Sequence, residues 1–166
     1  MGRFQPPASI SPDDRTTAIL TISEAPAQFR QAVRGLDHEQ MEAPYREGGW
    51  NSRQVIHHVA DSHSMALARV KLALTEEWPT ISAYKESAWA ELHDCAAPVE
   101  WSLQLLEGLH ARWVMLLQSL KDEDWKRGFT HPERGRMSIE TATLLYAWHC
   151  RHHTAHITHL RAAKGW

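Results

Sequence analysis

Apolar residues recur at helical spacing over four long stretches of the chain. The third stretch shows the pattern most clearly, with apolar residues at intervals of three and four: Trp101, Leu105, Leu109, Trp113, Leu116 and Leu120. This period predicts helices that each press one face against a shared core. No stretch alternates convincingly between apolar and polar residues, so the pattern predicts an all-α protein without strands.

The four predicted helices cover residues 13–36, 51–76, 98–120 and 138–163. Residues typical of helix ends flank three of them: Ser11, Asn51 or Ser52, and Ser138 as N-caps, and Gly165 as a C-terminal stop. A proline cannot donate a backbone hydrogen bond, so Pro26 is expected to kink or interrupt the first helix.

Proline and glycine concentrate in the three connections between these helices, residues 37–49, 77–97 and 121–137. The second connection is expected to hold a short helix around residues 87–92. These connections are longer than a minimal bundle needs, and long loops in compact domains are commonly functional. The organisation predicts a four-helix bundle with long connecting loops, formed by one domain over residues 1–166, with residues 1–12 as an extended N-terminal arm.

Composition excludes several classes of protein. A length of 166 residues with 43% hydrophobic residues suits a single domain with a sizeable core. The formal charge of −2, without a basic patch, argues against a nucleic-acid or membrane-surface partner. No apolar stretch approaches the roughly 20 residues of a membrane span. Cys95 and Cys150 do not make a disulfide framework, so a cytoplasmic setting is expected.

Histidine changes this picture, because eight of the twelve histidines fall in two of the predicted helices. The second helix carries three, and the fourth carries five: His57, His58 and His63, and His149, His152, His153, His156 and His159. Neutral imidazole is the commonest protein ligand for metal ions. Histidines four residues apart project to the same side of a helix, so one metal ion between two packed helices is a natural hypothesis.

Helical phase separates the five histidines of the fourth helix, at about 100° per residue. His149, His153 and His156 fall on one apolar line, whereas His152 and His159 fall at its flank. A single histidine on an apolar face is usually a core residue with a hydrogen-bond partner. Three are harder to satisfy, because each unpaired buried polar group costs about 1–3 kcal/mol. Periodicity does not choose among the three histidines of the second helix.

Longer sequence strings carry a resemblance to a known family. They are PYREGGWNSRQVIHHVADSH at 44–63, LTEEWP at 74–79, KRGFTHP at 126–132 and WHCRHHTAHIT at 148–158. The chain resembles the DinB/YfiT-like superfamily of metal-dependent hydrolases, and its YfiT branch in particular. The similar strings cover nearly the whole chain in order.

The resemblance implies an unusual four-helix bundle, a homodimer, and one divalent metal ion per subunit held by three histidines. Carried over by motif, the ligands are His58 in HHVADSH and His149 and His153 in WHCRHHTAHI. His152 and His156 have the same spacing and form the competing pair. Zinc is the first expectation for the metal, and nickel is the second.

Three imidazoles leave a divalent ion with an open coordination position, which is the pattern of catalytic rather than structural zinc. Such an ion can activate water or a thiol. The resemblance accordingly implies a hydrolase, or a transferase that uses a low-molecular-weight thiol such as bacillithiol, acting on a small-molecule substrate. The alternative is a non-catalytic metal-binding bundle with a role in stress response.

Further site residues are hypotheses about chemistry around the ion. Asp61 could orient His58 through its second ring nitrogen, or it could be a solvated helix acid. His63 and His152 could act as general bases, or they could simply pack in the core. Arg46 and Arg151 are candidates for pairing with a substrate carboxylate.

Overall fold

Four long helices form the body of the molecule in the computed structural model, which describes residues 2–166. They are α1 (Pro12–Val33), α3 (Ser52–Thr75), α5 (Val99–Gln118) and α7 (Ile139–Lys164). α1 packs on α5 and α7, and α3 packs on the same two helices, so the four form a closed ring around the core. The predicted four-helix bundle is confirmed.

The connections contain short elements that the hydrophobic pattern did not reveal. They are α2 (His38–Glu42), a 3₁₀ turn (His93–Ala96), α6 (Asp122–Lys126) and an antiparallel hairpin of β1 (Gly128–His131) and β2 (Gly135–Ser138). The short helix expected around residues 87–92 is α4 (Glu86–Trp89). Residues 2–10 precede the first helix without regular structure, and Met1 of the predicted arm lies outside the described residues.

The expectation that the chain contains no strands is therefore wrong. Each strand has only four residues, which is too short for an alternating pattern to stand out. The hairpin depends on Gly128, where a Cβ atom would lie 2.2 Å from the Met137 carbonyl oxygen. The loop before α4 joins the same strand, because Ile81 donates to the Thr130 carbonyl and Thr130 donates to the Pro79 carbonyl. Hairpin and loop together form a wall beside the bundle.

The helix ends follow the predicted caps. The Ser11 side chain accepts from Asp14 and the Asn51 side chain accepts from Gln54, each within a reciprocal capping box. Ser138 caps α7, and Gly165 ends it in the left-handed conformation. The helix α1 continues through the buried Pro26, so the predicted alternative of an interruption there is wrong.

The core-facing side of α5 differs from the predicted apolar stripe. Trp113 is fully buried, but Trp101 and Leu105 are 66% and 51% exposed. The residues buried along this helix are Leu103, Leu106, His110, Trp113 and Leu117. Apolar residues cover more than one side of α5. Their spacing therefore predicted the helix correctly, but it indicated the wrong side as buried. His110 is polar and lies on the buried side, so that side did not stand out as apolar.

No helix among residues 2–166 combines the length and apolar character that crossing a lipid bilayer requires.

The two tryptophans of α5 provide a matched test of this phase. We expect Trp113→Ala to lower the free energy of unfolding by about 3–5 kcal/mol, because it empties a fully buried site. Trp101→Ala should change it by no more than about 0.5 kcal/mol, as is usual for exposed positions. Urea unfolding followed by circular dichroism measures both. Equal effects of the two substitutions would contradict the assigned face, and Trp113→Phe replaces Trp113→Ala if the latter does not fold.

Candidate metal centre

Three histidines from two facing helices converge on one point. His58 comes from α3, and His149 and His153 come from successive turns of α7. The Nε2 atom of His149 lies 3.3 Å from that of His58 and 3.1 Å from that of His153. Each residue offers a nitrogen within 4.8 Å of the other two. We call this group the three-histidine cluster; it contains the residues that the sequence motif indicated.

The spacing suits a tetrahedral ion. Zinc–nitrogen bonds of 2.0–2.1 Å in tetrahedral geometry separate neighbouring nitrogens by about 3.3–3.4 Å. The two short nitrogen–nitrogen distances of 3.3 and 3.1 Å are close to this value. The donors are three imidazoles, which suit zinc and nickel as well as copper and iron. The residues present therefore fit the metal ion that the sequence resemblance implies.

The three rings are held in their neutral form. Burial lowers the pKa of His58 to about 4. Burial, together with the neighbouring imidazoles, lowers the pKa of His149 and of His153 well below the usual value. Neutral imidazole is the form that ligates metal, so the site needs no deprotonation at neutral pH.

A line of hydrogen bonds runs from the cluster into the core. His149 Nδ1 lies 3.0 Å from His63 Nε2, and His63 Nδ1 lies 2.8 Å from His110 Nε2. The line ends where His110 Nδ1 donates to the Ile22 carbonyl at 2.6 Å. We call this line, from His149 through His63 and His110 to Ile22, the imidazole relay. Its members come from α7, α3, α5 and α1.

The relay determines the tautomer of each ring. A carbonyl can only accept, so His110 carries its proton on Nδ1 and accepts at Nε2. His63 must then donate from Nδ1 and accept at Nε2, because burial lowers its pKa and keeps it neutral. His149 in turn donates from Nδ1. Its Nε2 is left without a proton and points at His58 and His153, as a metal ligand requires.

Pro26 makes the end of the relay available. In an α-helix the carbonyl of residue 22 normally accepts from the backbone N–H of residue 26. Proline has no N–H, so this carbonyl is left without its helical partner. His110 occupies the vacancy from the neighbouring helix. The proline inside α1 thus supports the orientation of His149 through the imidazole relay.

The remaining histidines of α3 and α7 have separate roles. His57 bridges α3 to α5 and to the chain before it, with the Ser102 hydroxyl at 2.7 Å and the Ala97 carbonyl at 3.1 Å. His156 stacks on Tyr45 at 3.9 Å between ring centroids and is half-buried. The competing pair of His152 and His156 brings its Nε2 atoms to 3.0 Å, without a third ligand among residues 2–166.

The predicted inward line of α7 needs a correction. The buried line runs through Tyr146, Cys150, His153 and Ile157, whereas His149 and His156 are only half-buried. His149 faces a cavity rather than the close-packed core, and Leu145 and His152 line the same cavity. Cys150 occupies the core position beside them, and burial raises the pKa of its thiol to about 12.

The three predicted catalytic residues lie in different surroundings. His152 lines the cavity and stacks on Trp148 at 4.4 Å. His63 is fully buried and both of its ring nitrogens are used in the imidazole relay, so it is placed to orient His149. Asp61 lies outside the cavity lining, and no hydrogen bond among residues 2–166 joins it to His58, so the predicted orienting role is not supported. Burial and nearby Asp94 raise the pKa of Asp61.

The cavity beside the cluster has a volume of ≈ 550 Å³. Its walls come from α3, α7, the hairpin, the loop before α4 and the N-terminal segment around Phe4. All three cluster histidines line it. A small molecule that enters the cavity can therefore reach the cluster directly.

Sequence reasoning missed two residues of this region, His110 and Arg69. His110 is 1% exposed and stands among Leu106 and Trp113 on the buried side of α5. A polar residue within an apolar face was the available signal. It was overlooked because the predicted buried side of α5 did not include His110. Arg69 is 8% exposed on α3 and lines the cavity, and no sequence motif marked it.

Comparisons with known proteins agree with these features. The sequence profile of the DinB superfamily matches residues 21–157. A Bacillus cereus protein and a Bacillus thuringiensis protein, each named "putative metal-dependent hydrolase", are 50% identical over 166 residues; these cover 100% of this chain and 96% of each relative.

Two solved structures share the fold. YfiT from Bacillus subtilis, described as "a probable metal-dependent hydrolase with an unusual four-helix bundle topology", superposes with a TM-score of 0.97 at 46% identity. That match covers 100% of this chain and 96% of YfiT. TT2238, a four-helix bundle protein, has a TM-score of 0.60 at 20% identity, over 92% of this chain and 99% of its own.

The buried neutral imidazoles predict how stability depends on pH. Unfolding exposes His58 to water and returns its pKa from about 4 to near 6.5. Below pH 6.5 the unfolded chain binds a proton that the folded chain excludes, so the free energy of unfolding falls as the pH drops towards 4. The slope for one such group is about 1.4 kcal/mol per pH unit. Urea unfolding of chelator-treated protein between pH 7 and about pH 4.5 measures it.

Two variants identify the source of that slope. His58→Gln should reduce the slope by the contribution of one proton, which is about 1.4 kcal/mol per pH unit. His159→Gln, which alters an exposed histidine of α7, should leave it unchanged. A parent protein with constant stability over this range would contradict the neutral state of the cluster.

Proposed function

The chain belongs to the DinB superfamily, and on that premise we propose that it is a metal-dependent enzyme with its ion held by His58, His149 and His153. The observation that carries the proposal is the convergence of three neutral imidazole rings at one cavity wall. A bound divalent ion would supply a Lewis acid that lowers the pKa of water or of a thiol that reaches it. Zinc is the proposed ion, and nickel is the second candidate.

An open coordination position supports catalysis over a structural role. Structural zinc sites are closed by four protein ligands, whereas catalytic sites have three. Among residues 2–166 the group has three members, with no cysteine or carboxylate as a fourth. The non-catalytic alternative, a stress-response bundle with a saturated ion, needs that fourth ligand.

The residues around the ion divide the remaining tasks. The imidazole relay holds His149 in the correct tautomer and orientation. His63 and His110 therefore act as positioning residues. His152 alone of the three predicted catalytic residues lines the cavity, so we assign it the acceptance of a proton from the attacking group. Trp50 and Trp148 also line the cavity.

Two reactions use this arrangement. Hydrolysis of an ester or amide is the reaction class that the relatives' names suggest. Transfer of a low-molecular-weight thiol to an electrophilic carbon is the second. The cavity favours the thiol, because its two carboxylates, Glu86 and Glu133, are exposed and a metal-activated thiol needs only a weak base such as His152. We also expect a cytoplasmic homodimer.

Metal affinity tests the ligand set. We expect His58→Ala and His149→Ala to lose at least about 100-fold in zinc affinity, since each removes a ligand. His110→Phe should lose about 10–100-fold, as outer-shell changes do, because His63 loses its acceptor. His159→Ala, on the exposed side of α7, is the control. Competition with a fluorescent chelator measures all four.

The competing ligand pair gives the opposite pattern. If His152→Ala reduces zinc affinity as strongly as removal of a ligand, while His149→Ala does not, the proposed set is wrong. The same titrations with nickel show which ion the site prefers.

Turnover distinguishes the two reactions. Metal-loaded protein is assayed with a panel of esters and amides, and with bacterial low-molecular-weight thiols plus a chloro-aromatic or epoxide electrophile. We expect metal-dependent thiol consumption, in which the sulfur–carbon bond forms as chloride leaves or the epoxide opens. His152→Gln should retain the metal and lower kcat by about 10²–10⁴-fold. Absence of turnover on both panels, with a saturated ion, would favour the non-catalytic alternative.

A further inference from the structure

Among residues 2–166, Arg69 is the one arginine buried in the body of the bundle. It is 8% exposed, and it lines the same cavity as the three-histidine cluster. Its Nη2 donates to the Ser82 carbonyl at 2.9 Å, and its Nε is buried without a hydrogen-bond partner. Among residues 2–166, no carboxylate oxygen lies within 4.0 Å of its guanidinium.

Other arginines of the molecule show how unusual this is. Arg15, Arg30 and Arg53 each pair with at least one carboxylate. Arg127 and Arg161 have none, but each donates to two carbonyls at the C-terminus of a helix, where the helix dipole favours a cation. Arg69 has neither kind of partner for its charge.

A buried guanidinium keeps its charge, because its pKa is too high for it to neutralise. Such a charge is unfavourable away from water unless an anion accompanies it. A single carbonyl satisfies one N–H without balancing the charge. The unbalanced cation in a cavity wall therefore calls for an anion that enters the cavity.

The position of Arg69 relative to the cluster limits the shape of that ligand. Arg69 follows His58 by eleven residues on α3, which is about 20° in phase and roughly 16 Å along the axis. Ser62 lies between them on the same side and also lines the cavity. The cluster and Arg69 thus stand at two points along one wall, three helical turns apart. An elongated ligand can reach both.

The polar groups near Arg69 suit one negative charge. Tyr84 lines the cavity with a buried hydroxyl, and Tyr146 lines it beside Arg69. The lining holds three arginines, Arg3, Arg69 and Arg134, against two exposed glutamates. Only one of these arginines is buried, which matches a singly charged carboxylate rather than a phosphate dianion.

We infer that Arg69 binds a carboxylate of the substrate, and that the substrate is an elongated small molecule whose reacting end reaches the three-histidine cluster. The inference rests on the proposed function for the metal end of the cavity. It replaces the sequence hypothesis for Arg46 and Arg151, neither of which lines the cavity. Arg151 donates to Thr21 on α1, and Arg46 lies over Tyr45.

A purely structural role is the competing explanation, in which Arg69 fastens the loop at Ser82 to α3. That role predicts lower stability on substitution, without any effect on the choice between charged and neutral ligands. Ligand discrimination is therefore the decisive measurement, and stability alone is not.

The test uses zinc-loaded full-length protein with matched probes, mercaptoalkanoates and mercaptoalkanols of equal length from propyl to octyl. Quenching of Trp50 and Trp148, which line the cavity, reports binding, and calorimetry confirms it. The parent should prefer the carboxylate by about ten-fold or more at the best length. Arg69→Met should abolish the preference, Arg69→Lys should retain part of it, and Arg151→Met should leave it unchanged.

Each other outcome has a defined meaning. Persistence of the preference in Arg69→Met, or tighter binding of an alkyl phosphate than of the matching alkanoate, overturns the inference. If Arg69→Met does not fold, Arg69→Gln replaces it. Zinc stoichiometry is measured for every variant, and simple alkanoates and alkanols are titrated into metal-free protein. Failure of the metal site then appears in the stoichiometry, whereas failure of the carboxylate subsite appears in both titrations.

Discussion

One line of hydrogen bonds joins all four long helices of this bundle. It begins at the Ile22 carbonyl on α1 and passes through His110 on α5 and His63 on α3 to His149 on α7. Every donor in the line is matched to an acceptor only if all three rings take one tautomer. A helix that shifted would leave a buried imidazole unpaired, at a cost of about 1–3 kcal/mol. The arrangement of the bundle and the chemistry of the cluster therefore depend on the same contacts.

This coupling explains why polar residues occupy positions where apolar ones would pack more simply. His63 and His110 are 0% and 1% exposed, among residues such as Trp113. Apolar side chains there would pack well in the core. They could not form the hydrogen bonds that link the Ile22 carbonyl to His149 and fix the tautomer of His149. Fully satisfied buried networks rigidify and specify one arrangement, whereas partly satisfied ones are unfavourable. Pro26 completes the network, because it is the residue that leaves the terminal carbonyl available.

Local signals in the sequence predicted the parts of the fold that depend on local physics. Ser11, Asn51, Ser138 and Gly165 mark helix ends because their side chains or backbone conformations satisfy groups within one turn. The three histidines that converge were carried over by motif from the family resemblance, because spacing alone left His152 and His156 as a competing pair on α7.

Tertiary contacts determine the features that the sequence did not predict. The phase of α5 depended on which of several apolar sides faces its neighbours, and the buried His110 pointed away from the correct answer. Helical phase alone placed His156 beside His149 and His153, but the cavity next to His149 shifts the close-packed line to Cys150 and Ile157. Arg69 could be identified only from the structure, which shows that no anion among residues 2–166 lies next to its charge. No spacing in the sequence carries that information.

The two sides of His149 have opposite characters, and this asymmetry is what makes the site suitable for chemistry. Its Nδ1 side is closed by rigid, fully paired core groups, which hold the ring in place. Its Nε2 side opens into a cavity with an unbalanced cation at Arg69 and exposed polar groups around it. His153 differs, because its Nδ1 is buried without a partner, so its ring is oriented by packing and by the contact of its Nε2 with His149. The core thus sets the position of the metal site through His149. The cavity wall determines which small molecule binds beside it.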